Sequence, residues 1–200
     1  MNSIEDLLQD LKPVKRAPST ARLIVIWTLF CAVFLGLAFL IRQPLKPHTP
    51  IIIFVHLFLS LAAGALAIAS ASPHEIGISR RWRGLVFLWP IPVMGTLLIL
   101  PTQPVWFFTL RCILASAAWT LPGMILMIWI LRSGFVLRPF HSIMLASLAA
   151  ASLGALAQNV ACVELGGFHR LLSHVLPPAL LSALCMTGYR FLIRFLKPAL

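Results

Sequence analysis

Carboxylates are scarce in this 200-residue chain. It contains five Asp and Glu residues against 16 Lys and Arg, which gives a formal net charge of +11. Charged residues of both signs make up only 10% of the chain, whereas soluble globular domains carry roughly 25%. Hydrophobic residues reach 60%, and the mean hydropathy is +0.96. This composition excludes an ordinary soluble domain and predicts an integral membrane protein.

Cysteines are also few. The four of them, at positions 31, 112, 162 and 185, are widely spaced, and no CxxC pair occurs. This spacing excludes a disulfide scaffold and a zinc ribbon of the usual kind. Any cysteine chemistry must therefore come from residues that the fold brings together.

Catalytic signatures are missing as well. The chain has no HExxH motif, no Gly-rich phosphate loop, no Ser-His-Asp constellation and no paired carboxylates within an apolar run. The sequence therefore predicts a protein that is not an enzyme and has no tightly bound cofactor.

Long apolar runs predict an all-α fold, a bundle of six transmembrane helices. A spanning helix needs about 20 predominantly apolar residues. The predicted spans are residues 23–41, 51–70, 85–100, 106–131, 143–161 and 171–192. Residues 1–20 are expected to form a separate tail and residues 21–200 the membrane domain. Because some twenty polar residues precede the first apolar run, we expect the tail to be retained and not cleaved as a signal peptide.

The positions of Lys and Arg predict the orientation of the bundle. Twelve of the 16 fall on one side of the predicted spans, namely Lys12, Lys15, Arg16, Arg22, Arg80, Arg81, Arg83, Arg132, Arg138, Arg190, Arg194 and Lys197. The other side carries Arg42, Lys46, Arg111 and Arg170. By the positive-inside rule, both termini are cytoplasmic.

Small residues are concentrated in the fifth predicted span, which reads "MLASLAAASLGALA". Ala150 and Gly154 in this run have small-xxx-small spacing, which lets helix backbones approach closely in lipid. We therefore expect close helix packing there. His56 and Gln158 come nearest to mid-membrane polar groups, and we expect His56 to be a hydrogen-bonded histidine near the interface, not part of a proton relay.

The tail holds three of the five carboxylates and has the pattern of an amphipathic helix. Ile4, Leu7, Leu8 and Leu11 recur at i, i+3, i+4 and i+7, and Pro13 ends the pattern. A helix of about nine residues is shorter than the roughly 12–15 needed for marginal stability in water. The tail should therefore fold only against something else.

Three surfaces are available to such a tail. An anionic lipid surface would repel its carboxylates, since surface helices usually carry Lys and Arg. Its own basic loop at positions 80–83 offers countercharge, and so does a basic groove on a soluble partner. The residues alone leave both of the latter open.

The order of motifs resembles the NrsF-type membrane anti-sigma factors. "IEDLLQDLKPVKR" before six spans is similar to the family's acidic, leucine-rich start followed by basic residues. "LRSGFVLRP" resembles the basic loop between its fourth and fifth spans, and "ACVELGGFHRLLSHVLP" resembles the cysteine-containing approach to its sixth. Where the family often has a histidine before this cysteine, the chain has Ala161.

This resemblance implies a regulatory function at the bacterial inner membrane. The tail would sequester an extracytoplasmic-function sigma factor, and the chain itself would not bind nucleic acid. The expected partner contacts are Ile4, Asp6, Leu7, Leu8, Asp10, Leu11 and Pro13. A small six-span transporter or channel component is the alternative, since proline-broken helices can line a path.

The predicted topology places Cys112 and Cys162 on the outer face. Glu164, His169 and His174 follow Cys162 closely, and together these groups could bind a thiophilic metal. From spacing alone, a purely apolar packing role for the cysteines is favoured over sensing, because no CxxC pair or compact metal-binding motif is present. The family resemblance implies that Cys112 and Cys162 sense metal or oxidative stress and draw the fourth span towards the 5–6 loop.

Overall fold

Helices account for all regular structure in the part of the chain that the structure describes, residues 18–41, 49–71, 110–133, 139–162, 167–188 and 191. This computed structural model contains four long helices, α1 (Thr20–Leu40), α2 (Thr49–Ser70), α3 (Leu110–Arg132) and α4 (Pro139–Ala161). A last helical segment consists of α5 (Gly167–Arg170), a π-helix (Leu171–Val175) and α6 (Leu176–Thr187). The all-α class is therefore confirmed for these residues.

Each of the four long helices corresponds to a predicted span and is long and apolar enough to cross a membrane. The last predicted span, residues 171–192, corresponds to a shorter apolar helix, Leu171–Thr187. The third predicted span, residues 85–100, and the tail, residues 1–17, lie outside the described residues. Four of the six predicted spans are thus found, which is consistent with a membrane protein.

Apolar side chains cover the outer surface of the described helices. In α1, Val25, Leu29, Val33 and Leu37 follow one another at four-residue intervals and are 47–64% exposed. A helix at the surface of a soluble protein would present polar residues there. The apolar outer face is that of a bundle surrounded by lipid.

Helix α4 lies at the centre of the bundle and contacts α1, α2, α3 and α6. Almost all of its residues from Ser142 to Val160 are buried. Because these residues are mostly Ala, Ser, Gly and Leu, four neighbouring segments can pack around one helix.

The small-xxx-small pair of α4 faces α3. A Cβ atom on Gly154 would lie only 2.9 Å from Thr120 Cα, and one on Gly123 would lie 3.5 Å from Ala150 Cα. The two backbones therefore come together at positions where one partner lacks a side chain or has only a methyl group. The predicted close packing of this helix is confirmed at these contacts.

A buried polar link joins α1, α2 and α4. The Trp27 indole N–H donates to the Ser60 carbonyl (3.1 Å), and the Ser60 hydroxyl donates to the Ala149 carbonyl (3.0 Å). Cys31 Sγ lies 3.7 Å from Ser60 Oγ at the same level. Hydrogen bonds between helices stabilise a bundle in lipid, where association gains nothing from the hydrophobic effect.

Helices α2 and α3 run parallel, and both are antiparallel to α4. At one end of α4, the Ser70 and Ser142 hydroxyls are 2.8 Å apart, so α2 ends where α4 begins. At the other end, Cys112 lies beside Cys162, so α3 begins where α4 ends. Since the 23 residues of α4 span about 35 Å, the end of α2 and the start of α3 lie at opposite ends of the bundle.

Candidate metal centre

Two cysteines and two histidines meet at the end of the bundle where α3 begins and α4 ends. The ligand atoms of Cys112, Cys162, His169 and His174 all lie within 4.8 Å of one another. Both histidines are buried, and both cysteines are partly buried. We refer to these four residues as the Cys/His cluster.

The cysteines enter the cluster from two antiparallel helices. Cys112 lies in the first turn of α3. Cys162 directly follows α4, and its backbone N–H continues the helical pattern by donating to the Gln158 carbonyl (2.9 Å). The close contact at Gly154 therefore joins the two helices from which the thiols come.

The histidines enter from the last helical segment. His169 belongs to α5, and its Nε2 is 3.8 Å from Cys162 Sγ. The His169 and His174 rings lie edge to face, with their centroids 5.2 Å apart. One short segment therefore supplies two of the four ligands.

This pairing of histidines depends on the π-helix. Five residues along an α-helix correspond to a rotation of about 500°, so His169 and His174 would differ in direction by about 140°. In a π-helix the hydrogen bonds run from i to i+5, as the Leu176 N–H bond to the Leu171 carbonyl does here. The wider turn brings residues five apart towards the same side.

Two prolines after the π-helix explain part of this local structure. Pro177 and Pro178 have no N–H, so the carbonyls of residues 173 and 174 receive no α-helical hydrogen bond from them. The Ser116 hydroxyl of α3 donates to the His174 carbonyl instead, at 3.2 Å. The π-helix is thereby attached to α3 beside the cluster.

Asn159 determines which nitrogen of His174 carries the proton. Its Nδ2 donates to the Ala155 carbonyl (2.8 Å), which leaves Oδ1 to accept a hydrogen bond from His174 Nδ1–H at 3.2 Å. His174 Nε2 is then a lone-pair acceptor. It is fully buried and has no hydrogen-bond partner among the described residues.

A buried cation stands beside the cluster. Arg170 is 2% exposed. Burial lowers the pKa of its guanidinium, and the neighbouring Cys162 partly offsets that shift by its negative charge. Arg170 therefore places a buried guanidinium next to a cysteine of the cluster.

The other cysteines lie away from the Cys/His cluster, and the remaining candidate ligand falls outside the described residues. Cys31 packs near Ser60, and Cys185 lines an apolar cavity with Met127 and Ile143. Glu164 lies outside the described residues. The other two cysteines are thus packing residues, and no disulfide links any of the four, all of which the structure describes.

His56, which the sequence predicts to be a hydrogen-bonded histidine near the interface, lies in α2. It is completely buried in α2. Contacts between helices, which hydropathy does not encode, decide this position.

Sequence reasoning missed Asn159 and Arg170, which the structure places against His174 and beside Cys162 respectively. One signal was available for Asn159. Gln158 and Asn159 form an amide pair in an otherwise apolar run, and such polar groups in a span usually have a buried partner.

The donor set is that of a zinc-type site. Two sulfurs and two imidazole nitrogens are common tetrahedral ligands, with metal–sulfur and metal–nitrogen distances of about 2.3 Å and 2.0–2.1 Å. These lengths place neighbouring ligand atoms roughly 3.3–3.8 Å apart in a tetrahedron. The longest separation in the cluster is 4.8 Å, so a contraction of about 1 Å completes the geometry.

Fold and site together define a helical membrane-bundle protein with a thiol–imidazole cluster at one end. The model of the family described as negative regulator of sigma F (NrsF) matches residues 7–195. The chain belongs to this family, as its sequence motifs predicted. Comparison with curated proteins and with solved structures found no match.

Proposed function

We propose that this protein is a membrane anti-sigma factor that holds an extracytoplasmic-function sigma factor through its N-terminal tail. The observation that carries this proposal is the family match over residues 7–195, nearly the whole chain. The name of the family implies a sigma factor as partner. The match includes most of the acidic tail, from Leu7 through Pro13. Family membership also favours this function over the transport alternative.

The tail is the segment best suited to bind the partner. Its apolar residues share one helical face, and its carboxylates complement a basic groove, such as the nucleic-acid-binding surface of a sigma factor. Each aliphatic side chain contributes at most about 1.5–3 kcal/mol when buried. The cost of folding on binding offsets part of this gain. A moderate affinity follows, and moderate affinity permits release.

The topology that we propose has six spans with both termini in the cytoplasm. The parallel course of α2 and α3 supports an additional crossing between them, because Ser70 and Leu110 lie at opposite ends of the bundle. Arg132 ends α3 at the side opposite the Cys/His cluster. By the positive-inside rule this end faces the cytoplasm, and the cluster faces the periplasm.

The Cys/His cluster is the proposed sensor. A metal or an oxidant that links Cys112 to Cys162 would pull the start of α3 towards the end of α4. Both helices run from the cluster to the cytoplasmic end, so a change in their relative tilt reaches the loops near the tail. The metal or oxidant must favour the bundle conformation that releases the sigma factor over the one that holds it. A decisive change in the bound fraction requires a difference of a few kcal/mol between these two conformations.

Deletion of residues 2–13 tests the proposal. Sigma factors of the extracytoplasmic-function class from the same genome are co-expressed with the chain and purified with it from detergent-solubilised membranes. We expect the intact chain to retain one of them and the deletion to release it. Equal retention of the sigma factor by the deleted chain would disprove binding through the tail.

Two point variants sharpen this test. Leu8→Ala removes an anchor from the apolar face, whereas Gln9→Ala alters a residue on the opposite face. We expect the first to weaken retention about tenfold or more, which corresponds to the burial of one leucine. The second serves as the control and should retain the partner as the intact chain does.

A further inference from the structure

We propose that the Cys/His cluster binds one divalent cation of the zinc class, with His174 coordinating through Nε2 and Asn159 fixing its orientation. The proposal deepens the proposed function, on which it rests only for its regulatory meaning. Metal binding itself can be measured on the isolated protein without any sigma factor.

The donor set and its geometry suit a cation of this class. Soft thiolates and borderline imidazoles together favour a cation of zinc's class over hard cations such as Mg²⁺ and Ca²⁺, which prefer oxygen ligands. Cys162 Sγ and His169 Nε2 are already 3.8 Å apart, the separation of roughly 3.5–3.8 Å expected around a tetrahedral ion. Two thiolates neutralise the ion, and binding releases their protons to water.

His174 is held in the tautomer that a metal ligand needs. A buried imidazole nitrogen without a partner is costly, and Nε2 of His174 is fully buried and has none among the described residues. The amide of Asn159 puts the ring proton on Nδ1, so Nε2 presents its lone pair. A metal ligand needs this arrangement, because ligating histidines usually donate their other N–H to an oxygen acceptor.

The proposed ligands come from three separate parts of the fold. Cys112 belongs to α3, Cys162 follows α4, and the histidines belong to α5 and the π-helix. A bound ion would fix these elements relative to one another at one end of the bundle. A disulfide between Cys112 and Cys162, by contrast, would join only α3 to the end of α4.

The test uses the full-length chain, purified in detergent micelles, reduced and freed of metal. Co²⁺ is the probe, because its visible d–d bands report tetrahedral coordination and its charge-transfer bands report bound sulfur. We expect one Co²⁺ per chain, with both sets of bands, and displacement by Zn²⁺.

Variants of the cluster and matched controls identify the ligands. Cys112→Ser and His174→Ala should each lower Zn²⁺ affinity by more than the 10–100-fold typical of lost outer-shell partners. Cys185→Ser and His141→Ala change the same residue types away from the cluster and should leave affinity unchanged. Monodisperse elution of each variant shows that it is folded.

Asn159 is a positioning residue and needs its own readout. Asn159→Leu cannot accept the His174 N–H and should cost about 10–100-fold in affinity. Its Co²⁺ complex should have weaker d–d bands, whereas its sulfur charge-transfer bands should persist. Asn159→Asp retains the acceptor oxygen and should restore affinity to within tenfold of the unaltered chain.

Three results would overturn the inference: no stoichiometric binding, unchanged affinity in the histidine and Asn159→Leu variants, or a Cys112–Cys162 disulfide as the only modification of the cluster. If His174→Ala fails to fold, the affinities of His169→Ala and of the Asn159 variants test the inference instead.

The metal site and the anti-sigma function can fail independently. Loss of metal binding would leave the anti-sigma proposal intact. Sigma retention after deletion of the tail would leave the metal site intact.

Discussion

Gly154 of α4 and Thr120 of α3 are in direct backbone contact, since a Cβ atom added to the glycine would lie 2.9 Å from Thr120 Cα. This contact lies between the two helices that carry Cys112 and Cys162. It therefore affects both the stability of the bundle and the spacing of the thiols.

Gly154→Ala should destabilise the bundle for this reason. The added methyl group must push α3 and α4 apart, and overpacking of this kind typically costs about 1–3 kcal/mol. Thermal unfolding in detergent micelles would show a lower midpoint. Gly36→Ala is the matched control, because nothing lies within 4 Å of its added Cβ. Equal midpoints for the two variants would contradict the close contact.

Ser60→Ala should weaken the attachment of α2 to α4. The variant loses the hydroxyl that donates to the Ala149 carbonyl. Hydrogen bonds between membrane helices contribute about 0.6 kcal/mol on average and at most about 1.7 kcal/mol. Unfolding by a denaturing detergent measures the loss. Ser133→Ala, which removes a hydroxyl bonded within its own helix, should change stability less.

The proposed topology predicts different labelling at the two ends of α3. In a variant whose only cysteine is Cys162, a membrane-impermeant maleimide applied to spheroplasts should label the thiol. With Ser133→Cys as the only cysteine, at the other end of α3, labelling should require permeabilised cells. The reverse pattern would invert the bundle and place the cluster in the cytoplasm.

Sensing through the cluster predicts a specific loss of response. A Cys112→Ser, Cys162→Ser double variant should keep the sigma regulon repressed under the metal or oxidant that induces it in cells with the unaltered chain. A Cys31→Ser, Cys185→Ser double variant should respond normally, since these thiols lie away from the cluster. An undiminished response in the first variant would refute the sensor role.

The positions of the spans were predictable because hydropathy is a local property. The runs at residues 23–41 and 51–70 became α1 and α2 with almost the predicted ends. The Ala150 and Gly154 spacing likewise predicted close packing, because small residues are the usual means of helix contact in lipid. Which helix those residues would face was not predictable from spacing alone.

The candidate site was predictable only as a set of residues. Cysteine and histidine carry recognisable chemistry, so Cys112, Cys162, His169 and His174 could be named from their types and their shared side of the membrane. Asn159 was missed because its function depends on one contact, with His174, that no local pattern encodes. Arg170 was missed for the same reason, because its place beside Cys162 depends on the tertiary structure.

Apolar helices long enough to span a membrane could be predicted from the sequence, because apolar length and charge bias act on each segment independently. The central place of α4 follows from its contacts with four other segments, which no single run of residues encodes. The π-helix that brings two histidines, five residues apart, near both cysteines likewise depends on the fold. Both features arise from backbone hydrogen bonds and side-chain packing between segments that are far apart in the sequence.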